Sequence, residues 1–587
     1  ITQHVNHIFH PITGKKETLD SLLKGDDSVH WKRSLSNEWG RLAQGNDHGV
    51  KATDTIEFIA KSAVPSGRKV TYGSFVCDFK PLKEQQYRIR LVAGGDKLDY
   101  DDDPASPTAS LLQSKLLLNS TISDAKDGAR FMSADLKDYF LATPMETPEY
   151  MRSNIRHIPD DIIAKYNLRN IVTPDGWIYI KIKKGMYGLK QAAILAYQQL
   201  VTNLAKHGYT PCKYSVGLWT HATRRTKFCL CVDDFGIKYF SKDDADHLIT
   251  SLRTSGYTVT TDWDGKNYCG LYLDWHYDKG YVDISMPDYV LNALKKFRHQ
   301  FPLRPCHAPH QWNRPVYGQK IQFAKDEDTS DVLTEAAAIT RIQQIVGTFL
   351  YYGRGIEYPI LPALNEIGTQ QSKPTTATNA AITELMDFLA THPNGIVRYH
   401  ASDMILHVDT DAAYLVLPNA KSRIAGYFYL SSHPSNSSSP PLNGAILVEC
   451  STLKNVVGSA AESECGGCYH NATTAVPIRV ALEELGHPQP KTPLKTDNAT
   501  AAGFANKSMR QKRSKAWDMR YNWLRDRIAQ GQFHIFWDTG SNNLADYFTK
   551  HHPPSHHIKT RQNYILKNHL VSKSQLLERM QLSIQTV

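Results

Sequence analysis

Two adjacent acidic residues, Asp233 and Asp234, stand between the apolar runs 228–230 and 235–237. Carboxylates this close repel each other unless a cation stabilises their charged forms. An acidic pair on a hairpin between apolar strands is typical of a Mg²⁺ site, because Mg²⁺ prefers oxygen ligands and keeps water and phosphate as further ligands. A surface β-turn is the alternative interpretation, since aspartate is a common turn residue.

The bulk composition is that of a globular protein, with 587 residues, of which 41% are hydrophobic and 21% charged. This length predicts several structural units, at roughly 100 to 200 residues per domain. The net charge of +10 suits a phosphate-rich partner. The 9 cysteines are irregularly spaced and predict no disulfide framework, which favours a reducing compartment.

The chain shows no membrane or export signal. It lacks a run of about 18 apolar residues, and its N-terminus lacks the charged and apolar regions of a signal peptide. These features predict a soluble intracellular protein. The first residue is Ile1 rather than methionine, which predicts a fragment or the product of a longer polyprotein.

A third acid, Asp135, stands at the end of the predicted strand 131–135. Beside an Asp-Asp hairpin, such a residue can complete a site for two Mg²⁺ ions, which activate an attacking hydroxyl and stabilise a leaving pyrophosphate. Between them, residues 184–192 form a basic, glycine-containing turn before a helix, suited to a templating pair and a triphosphate. This constellation predicts nucleotidyl transfer.

Several ordered motifs resemble the reverse transcriptase and RNase H portion of copia-type (Pseudoviridae) LTR-retrotransposon Pol polyproteins. They are Tyr-Gly-Leu-Lys-Gln-Ala at 187–192, Val-Asp-Asp at 232–234, Arg-Leu-Val-Ala at 90–93 and Val-Gly-Thr-Phe-Leu-Tyr-Tyr at 346–352. The resemblance runs from about residue 17 to residue 552. It implies a right-hand polymerase with fingers, palm and thumb, followed by an α/β RNase H-like domain with a mixed five-stranded sheet.

The resemblance implies roles for the polymerase residues. Asp135, Asp233 and Asp234 would hold two Mg²⁺ ions, with Mn²⁺ as an alternative metal. Phe140 would block a ribose 2′-OH, so that the pocket prefers dNTPs. The implied dNTP-binding residues are Arg88, Arg90, Asp138, Tyr139, Phe140, Tyr187, Gly188 and Lys190, and the implied primer grip is Tyr268, Cys269, Gly270 and Leu271. Arg88 and Arg90 alternate on a strand, and a solvent-facing position is the alternative for both.

A second set of acids follows in the last predicted domain. Asp409, Glu462, Asp497 and Asp546 fall at a first strand, a first helix, a later strand end and a final helix, an order that resembles RNase H. Four such acids would bind two Mg²⁺ ions and activate water against the RNA strand of a hybrid. Asp411 and Glu464 are near neighbours that could be mistaken for ligands.

The periodicity of the chain predicts an α+β organisation. Residues 131–280 mix strands and helices, residues 285–395 are mainly helical, and a new strand-rich unit begins after residue 395. The predicted domains are an N-terminal arm and helix (1–50), fingers and palm (51–285), a helical thumb and short connection (286–398), RNase H (399–552) and a basic helical tail (553–587).

Some positions depart from the copia-type pattern. Cys231 replaces an aromatic residue beside the catalytic hairpin, Ala193 replaces a proline, and residues 356–359 replace Arg-Pro-Asp. The loop 537–543 has no histidine, where some RNases H carry one for product release.

The preferred hypothesis is a reverse transcriptase that copies RNA and DNA into DNA and degrades the RNA of hybrids. Its expected partners are an RNA template, a DNA primer, RNA–DNA hybrid, dNTPs, and the integrase and Gag-derived particle of the same element. The expected location is the cytoplasm, within a virus-like particle. The alternative is a domesticated or inactive retroelement protein that binds nucleic acid without synthesis.

Overall fold

The computed structural model describes residues 7–9, 16–79, 85–312, 328–433, 442–508 and 519–567. Its first elements are β1 (His7–Phe9), β2 (Lys16–Thr18), α1 (Leu19–Leu22) and α2 (Ser28–Leu42). The apolar stripe predicted on the second of these helices is confirmed as core packing, because Trp31, Leu35, Trp39 and Leu42 are buried.

Helix α2 packs against a five-stranded sheet and shares a buried apolar core with it. The elements from residue 56 to residue 184 are β3 (Ile56–Ile59), β4 (Val70–Phe79), β5 (Tyr87–Ala93), α3 (Leu111–Ser123), β6 (Arg130–Lys137), β7 (Pro144–Asn154), α4 (Asp160–Lys165) and β8 (Trp177–Lys184). The strand order is β3–β8–β7–β4–β5, with β4 and β7 parallel and the other pairs antiparallel. This sheet therefore brings β5, with Arg88 and Arg90, beside helix α2.

A six-stranded antiparallel sheet follows. Its further elements are α5 (Ala192–Ala205), β9 (Tyr209–Pro211), β10 (Leu218–His221), β11 (Lys227–Cys231), β12 (Asp234–Tyr239), α6 (Lys242–Thr254) and β13 (Thr258–Asp262). The order is β13–β6–β12–β11–β10–β9. Apolar side chains of α5 and α6, among them Leu200 and Leu248, share one buried core with this sheet. The sheet thus places β6 and the β11–β12 hairpin side by side over a helical layer.

The next part of the chain is mainly helical. Its elements are β14 (Asn267–Tyr268), β15 (Leu271–His276), β16 (Tyr281–Ser285), α7 (Tyr289–Lys296), α8 (Ala336–Gly355), α9 (Leu361–Gln370), α10 (Thr376–Thr391) and β17 (Gly395–His400). The helices predicted at 289–297, 339–352 and 380–389 are confirmed as α7, α8 and α10. In the part of the chain that the structure describes, no helix is both long and apolar enough to span a membrane.

A mixed five-stranded sheet forms the last large unit. The remaining elements are β18 (Ile405–Leu417), β19 (Lys421–Ser431), β20 (Ala445–Thr452), α11 (Ala460–Glu484), β21 (Thr492–Thr496), α12 (Ala499–Ala505), α13 (Asn522–Ala529), β22 (Phe533–Trp537), α14 (Pro554–Thr560) and β23 (Leu566–Lys567). The order is β20–β19–β18–β21–β22, in which β21 runs parallel to both of its neighbours. Helix α11 packs on β18 and β19.

Two predicted domain boundaries fall inside continuous structure. The boundary at residue 398 lies within β17, which pairs with β16 on one side and β23 on the other. Residues 554–567, predicted as part of a tail, form α14 and β23, and Arg561 makes two hydrogen bonds of 2.7 Å to the buried carboxylate of Glu357. The predicted tail helix at 572–582 lies outside the described residues.

Lys115 of α3 is fully buried between the central helices and the last sheet. Its ammonium group donates hydrogen bonds to the Arg354 carbonyl oxygen at 2.7 Å and to the Tyr358 hydroxyl at 3.0 Å. Burial lowers the pKa of Lys115 to about 7. The folded state therefore disfavours the charged form of this lysine.

We expect the substitution Lys115→Met to stabilise the protein by an amount that depends on pH. Between pH 7 and the ordinary pKa of lysine, the unfolded wild-type chain binds more protons at this site than the folded chain, so wild-type stability rises with pH. The variant has no titrating group at this position. The difference in free energy of unfolding between the variant and the wild type should therefore decrease by about 1.4 kcal/mol per pH unit. Urea unfolding of both proteins at pH 7, 8 and 9 measures this difference, and a pH-independent difference would contradict the account.

Two candidate active sites

The first site lies where β6 and β12 pair. The antiparallel register places Asp135 opposite Asp234, and the Leu136 N–H donates to the Asp233 carbonyl oxygen at 3.0 Å. The turn before β12 holds Val232 at φ 62°, a left-handed conformation that is unusual for a β-branched residue. Strand pairing thus brings the predicted acids of this site to one end of the sheet.

The carboxylates of this site perturb one another. Burial raises the pKa of Asp233, and the charge of Asp135 raises it further, whereas Arg90 and Arg88 act in the opposite direction. The carboxylate oxygens of Asp135, Asp233 and Asp234 do not all lie within 4.8 Å of one another. Binding of one cation by all three acids therefore requires their side chains to rotate.

A cavity of about 1210 Å³ opens in front of these acids. Besides the acids, its wall includes Arg41, Arg88, Arg90, Asp138, Lys184 and Tyr187. Burial, followed by the nearby guanidinium groups of Arg90 and Arg41, lowers the pKa of Arg88. A cavity that combines carboxylates with mutually repelling cations fits a ligand that carries phosphate groups and divalent cations.

The predicted dNTP-binding residues separate into two groups. Arg88, Arg90, Asp138 and Tyr187 line the cavity, and the Arg90 guanidinium lies 4.8 Å from the centre of the Tyr187 ring. The remaining predicted residues, Tyr139, Phe140, Gly188 and Lys190, are not part of the cavity wall.

The residues of the second group have structural contacts of their own. Tyr139 is buried, and the Phe140 ring packs edge-on against Tyr187 at 5.7 Å. Gly188 has φ 93° and approaches β5 so closely that a Cβ atom would lie 2.0 Å from the Ala93 carbonyl oxygen. The Lys190 ammonium donates to the Leu98 carbonyl oxygen at 2.9 Å. These contacts hold the turn 187–191 against β5 and the segment that follows it.

The predicted primer-grip hairpin, Tyr268 to Leu271, packs on the Asp-Asp hairpin. The Tyr268 hydroxyl donates to the Cys229 carbonyl oxygen at 3.3 Å, and a Cβ atom on Gly236 would lie 2.7 Å from the Tyr268 ring. A hydrogen bond from the Cys269 thiol lowers the pKa of Cys231 to about 6. Cys231 thus contacts this hairpin.

The second site lies in the mixed sheet, at the end of β21. The parallel register pairs Val408 with Leu494 and Asp409 with Lys495, so that two residues further along β18 Asp411 reaches the level of Asp497. Helix α11 crosses this point and contributes Glu464. The ligand atoms of Asp411, Glu464 and Asp497 all lie within 4.8 Å of one another, and within the described ranges no other group of three or more acidic, histidine or cysteine residues does so.

Burial and repulsion from neighbouring acids raise the pKa values of all three acids in this cluster. Burial, followed by the charges of Asp411 and Asp497, raises the pKa of Glu464 to about 10. Burial raises the pKa of Asp411 to about 6, with a further increase from the charge of Asp546. Burial, followed by the charge of Asp546, also raises the pKa of Asp497. A divalent metal ion at this point would favour the ionised forms of all three acids together, because it would offset their repulsion.

Two of the predicted RNase H acids lie outside this cluster. Asp409 forms an ion pair with Lys495 at 2.9 Å and accepts the Leu544 N–H at 3.1 Å. Glu462 accepts the Gly458 N–H at 2.8 Å, in the first turn of α11. Asp411 and Glu464 occupy the cluster positions that were predicted for Asp409 and Glu462. Of the other two predicted acids, Asp497 is in the cluster and Asp546 is next to it. This difference from the predicted set follows from the strand register, because β18 extends past the end of β21 and the acids that meet lie two residues later.

Sequence reasoning missed two neighbours of this cluster. The Thr549 hydroxyl donates to the Asp411 carboxylate, and the Lys550 ammonium forms an ion pair with Asp546. Both residues follow Asp546 closely in the sequence. Two adjacent polar residues so near a predicted acid could have indicated this contact.

Comparison with curated proteins identifies retrotransposon polyproteins as relatives. The chain is 23% identical over 527 residues to the Transposon Ty1-OR Gag-Pol polyprotein of Saccharomyces cerevisiae, covering 85% of this chain and 27% of the relative. It is 25% identical over 528 residues to the Ty1-ER2 Gag-Pol polyprotein of the same yeast, with the same coverage. The chain therefore spans about a quarter of the length of these relatives. No family model matches.

Solved structures with similarity include a foamy viral protease-reverse transcriptase in complex with double-stranded DNA, at 11% identity and a TM-score of 0.45, covering 82% of this chain and 67% of that one. Another is the N-terminal RNase H domain of rv2228c from Mycobacterium tuberculosis, at 10% identity and a TM-score of 0.18, covering 25% of this chain and 91% of that one. The sequence matches, which extend over 85% of the chain, carry the assignment. The chain is therefore homologous to the copia-type Ty1 Gag-Pol polyproteins, and the resemblance predicted from its motifs is confirmed.

Proposed function

We propose that this chain is a reverse transcriptase with RNase H activity that serves the replication of an LTR retrotransposon. The observation that carries the proposal is the presence of two separate carboxylate sites in one chain, each at strand ends. One opens into a cavity lined by arginines, and the other is a compact acidic cluster. Homology to Gag-Pol polyproteins supports both assignments.

The polymerase site would use Asp135, Asp233 and Asp234 to hold two Mg²⁺ ions, or Mn²⁺ in their place. The metal ions would supply activation of the primer hydroxyl and stabilisation of the leaving pyrophosphate. Arg88 and Arg90 would neutralise the triphosphate from the opposite wall of the cavity. The backbone N–H groups of Asp138 and Tyr139 would orient the triphosphate, and Phe140 would act through its packing on Tyr187 to exclude a ribose 2′-OH. Tyr268 to Leu271 would hold the primer end.

The nuclease site would use Asp411, Glu464 and Asp497, with Asp546 beside them. The raised pKa of Glu464 fits metal binding, because a cation beside this buried group would favour its carboxylate form at neutral pH. The metal ions would supply activation of water for cleavage of the RNA strand. Thr549 would orient the Asp411 carboxylate through its hydroxyl hydrogen bond.

The proposed architecture is a right-hand polymerase followed by an RNase H-like domain. The fingers would contain the sheet with β5, the palm the six-stranded sheet, the thumb the helices α7 to α10, and the RNase H domain the mixed sheet. The partners would be RNA template, DNA primer, hybrid and dNTPs, together with integrase and a Gag-derived particle of the same element. The place of action would be a cytoplasmic virus-like particle.

The alternative is a domesticated or inactive protein that binds nucleic acid without synthesis. The carboxylates of both sites argue against it, because buried acids without a function reduce stability. Extension of a DNA primer on an RNA template with Mg²⁺ tests the proposal, and absence of dNTP incorporation by the wild-type chain would favour the alternative.

We expect Asp233→Asn to reduce dNTP incorporation by at least about a hundredfold, because it removes one charged metal ligand from the polymerase site. Cleavage of an RNA–DNA hybrid should stay within about twofold of wild type, since Asp233 lies in a different sheet from the acidic cluster. The matched control is Asp246→Asn, which removes an exposed carboxylate from α6. Undiminished incorporation by Asp233→Asn would contradict the assignment of the polymerase site.

We expect Glu464→Gln to abolish hybrid cleavage and to leave primer extension intact. Glu462→Gln is the control on the same helix and should retain most cleavage, because its carboxylate caps the helix start. Gel analysis of a labelled RNA strand measures both variants. Loss of cleavage in Glu462→Gln with retention in Glu464→Gln would restore the assignment made from the sequence.

A further inference from the structure

Helix α2 contributes more than core packing, because two polar side chains on it connect the fingers strand to the palm. Glu38 is 4% exposed, and its carboxylate accepts the backbone N–H of Leu91 at 2.9 Å. Leu91 lies on β5 directly after Arg90. The helix is therefore tied to the strand that carries the proposed triphosphate-binding arginines.

The same carboxylate holds Arg41. The Arg41 guanidinium donates two hydrogen bonds to Glu38 Oε2, at 3.1 Å from Nε and 2.5 Å from Nη2. Its other nitrogen, Nη1, donates to Asp138 Oδ1 at 2.5 Å. The side chains of Arg41 and Asp138 are 14% and 19% exposed, so water screens this ion pair only partly. A continuous chain of hydrogen bonds thus runs from β5 through Glu38 and Arg41 to Asp138.

Asp138 lines the cavity and is one of the residues proposed to orient the triphosphate. It directly follows β6, three residues after Asp135, and has φ 58°, in the left-handed region that non-glycine residues rarely adopt. The charge-assisted hydrogen bond from Arg41 connects the side chain of this residue to helix α2. The turn 138–140 therefore depends on a contact from a helix that lies almost 100 residues earlier in the chain.

The position of Arg41 in the cavity wall places this hydrogen-bond chain beside the proposed nucleotide site. Arg41 lines the same cavity as Asp135, Asp233, Arg88 and Arg90. The positive charges of Arg41 and Arg90 both act on Arg88, which is the arrangement expected around an anion with several charges.

We propose that Glu38 and Arg41 form a positioning relay, which sets the turn at Asp138 relative to the strand that carries Arg88 and Arg90 and so determines dNTP affinity. This inference rests on the proposed polymerase function. Arg41 and Glu38 are positioning residues in this account, because they act through the turn and the strand.

The test is steady-state incorporation of a single dNTP on a defined template-primer by the full chain. Arg41→Ala removes the relay at its centre and should raise the KM for dNTP by about tenfold, the size expected for loss of one charge-assisted hydrogen bond. Because this variant leaves Glu38 buried without its partner, the second variant is Asp138→Asn, which keeps the Glu38–Arg41 pair. It should raise KM to a similar degree, with kcat and template-primer affinity within about twofold of wild type.

Two further variants separate the relay from general effects. The double variant Arg41→Ala/Asp138→Asn should be no worse than either single one, since both interrupt the same interaction. Arg41→Lys should recover part of the affinity, because its single ammonium group can reach one carboxylate but not bridge both. Lys32→Ala removes an exposed cation from the same helix and should leave KM unchanged.

The outcomes distinguish the inference from the function on which it rests. Absence of incorporation by wild type would overturn the proposed function and the inference with it. Normal incorporation with an unchanged KM in both single variants would overturn the inference alone. So would a parallel loss of kcat, template-primer affinity and melting temperature in Asp138→Asn, which would indicate a structural role only.

Discussion

The register of two strand pairs determines which carboxylates in this chain can share a cation. Pairing of β6 with β12 sets Asp135 opposite Asp234, and pairing of β18 with β21 brings Asp411 level with Asp497. A shift of one residue in either pair would turn an acid to the other face of its sheet and separate the cluster. The apolar faces of both sheets oppose such a shift, because they are buried against helices.

The cavity at the first site depends on how two separate sheets are held together. Strand β5 supplies arginines from one sheet, while β6 and β12 supply acids from another. Helix α2 connects the two sheets through a partly buried chain of hydrogen bonds that runs from Leu91 through Glu38 and Arg41 to Asp138. Close approach of Gly188 to the Ala93 carbonyl oxygen joins the same strand to the turn before α5.

Much of this organisation could be predicted from the sequence. The acidic doublet, the strand that ends at Asp135 and the apolar stripe of α2 are local patterns, and hydrophobic periodicity is sufficient to identify them. Which acids of the last sheet lie close together could not be predicted from these patterns, as Asp409 and Glu462 illustrate. Acids two residues apart on a strand look equivalent in sequence, and only the length of β18 beyond β21 distinguishes Asp409, paired with Lys495, from Asp411 in the cluster. The role of Arg41 was hidden for a similar reason, since its partner Asp138 is remote in sequence.

We propose two metal-dependent sites in this chain, one at Asp135, Asp233 and Asp234 and the other at Asp411, Glu464 and Asp497. The most direct measurement is a crystal structure of the full chain with Mn²⁺, an RNA–DNA hybrid and a dNTP, in which anomalous scattering locates the metal ions. The account predicts Mn²⁺ peaks coordinated by both sets of carboxylates, with Asp409 still paired to Lys495. Peaks coordinated by Asp409 and Glu462, or the absence of metal from both sets, would contradict it.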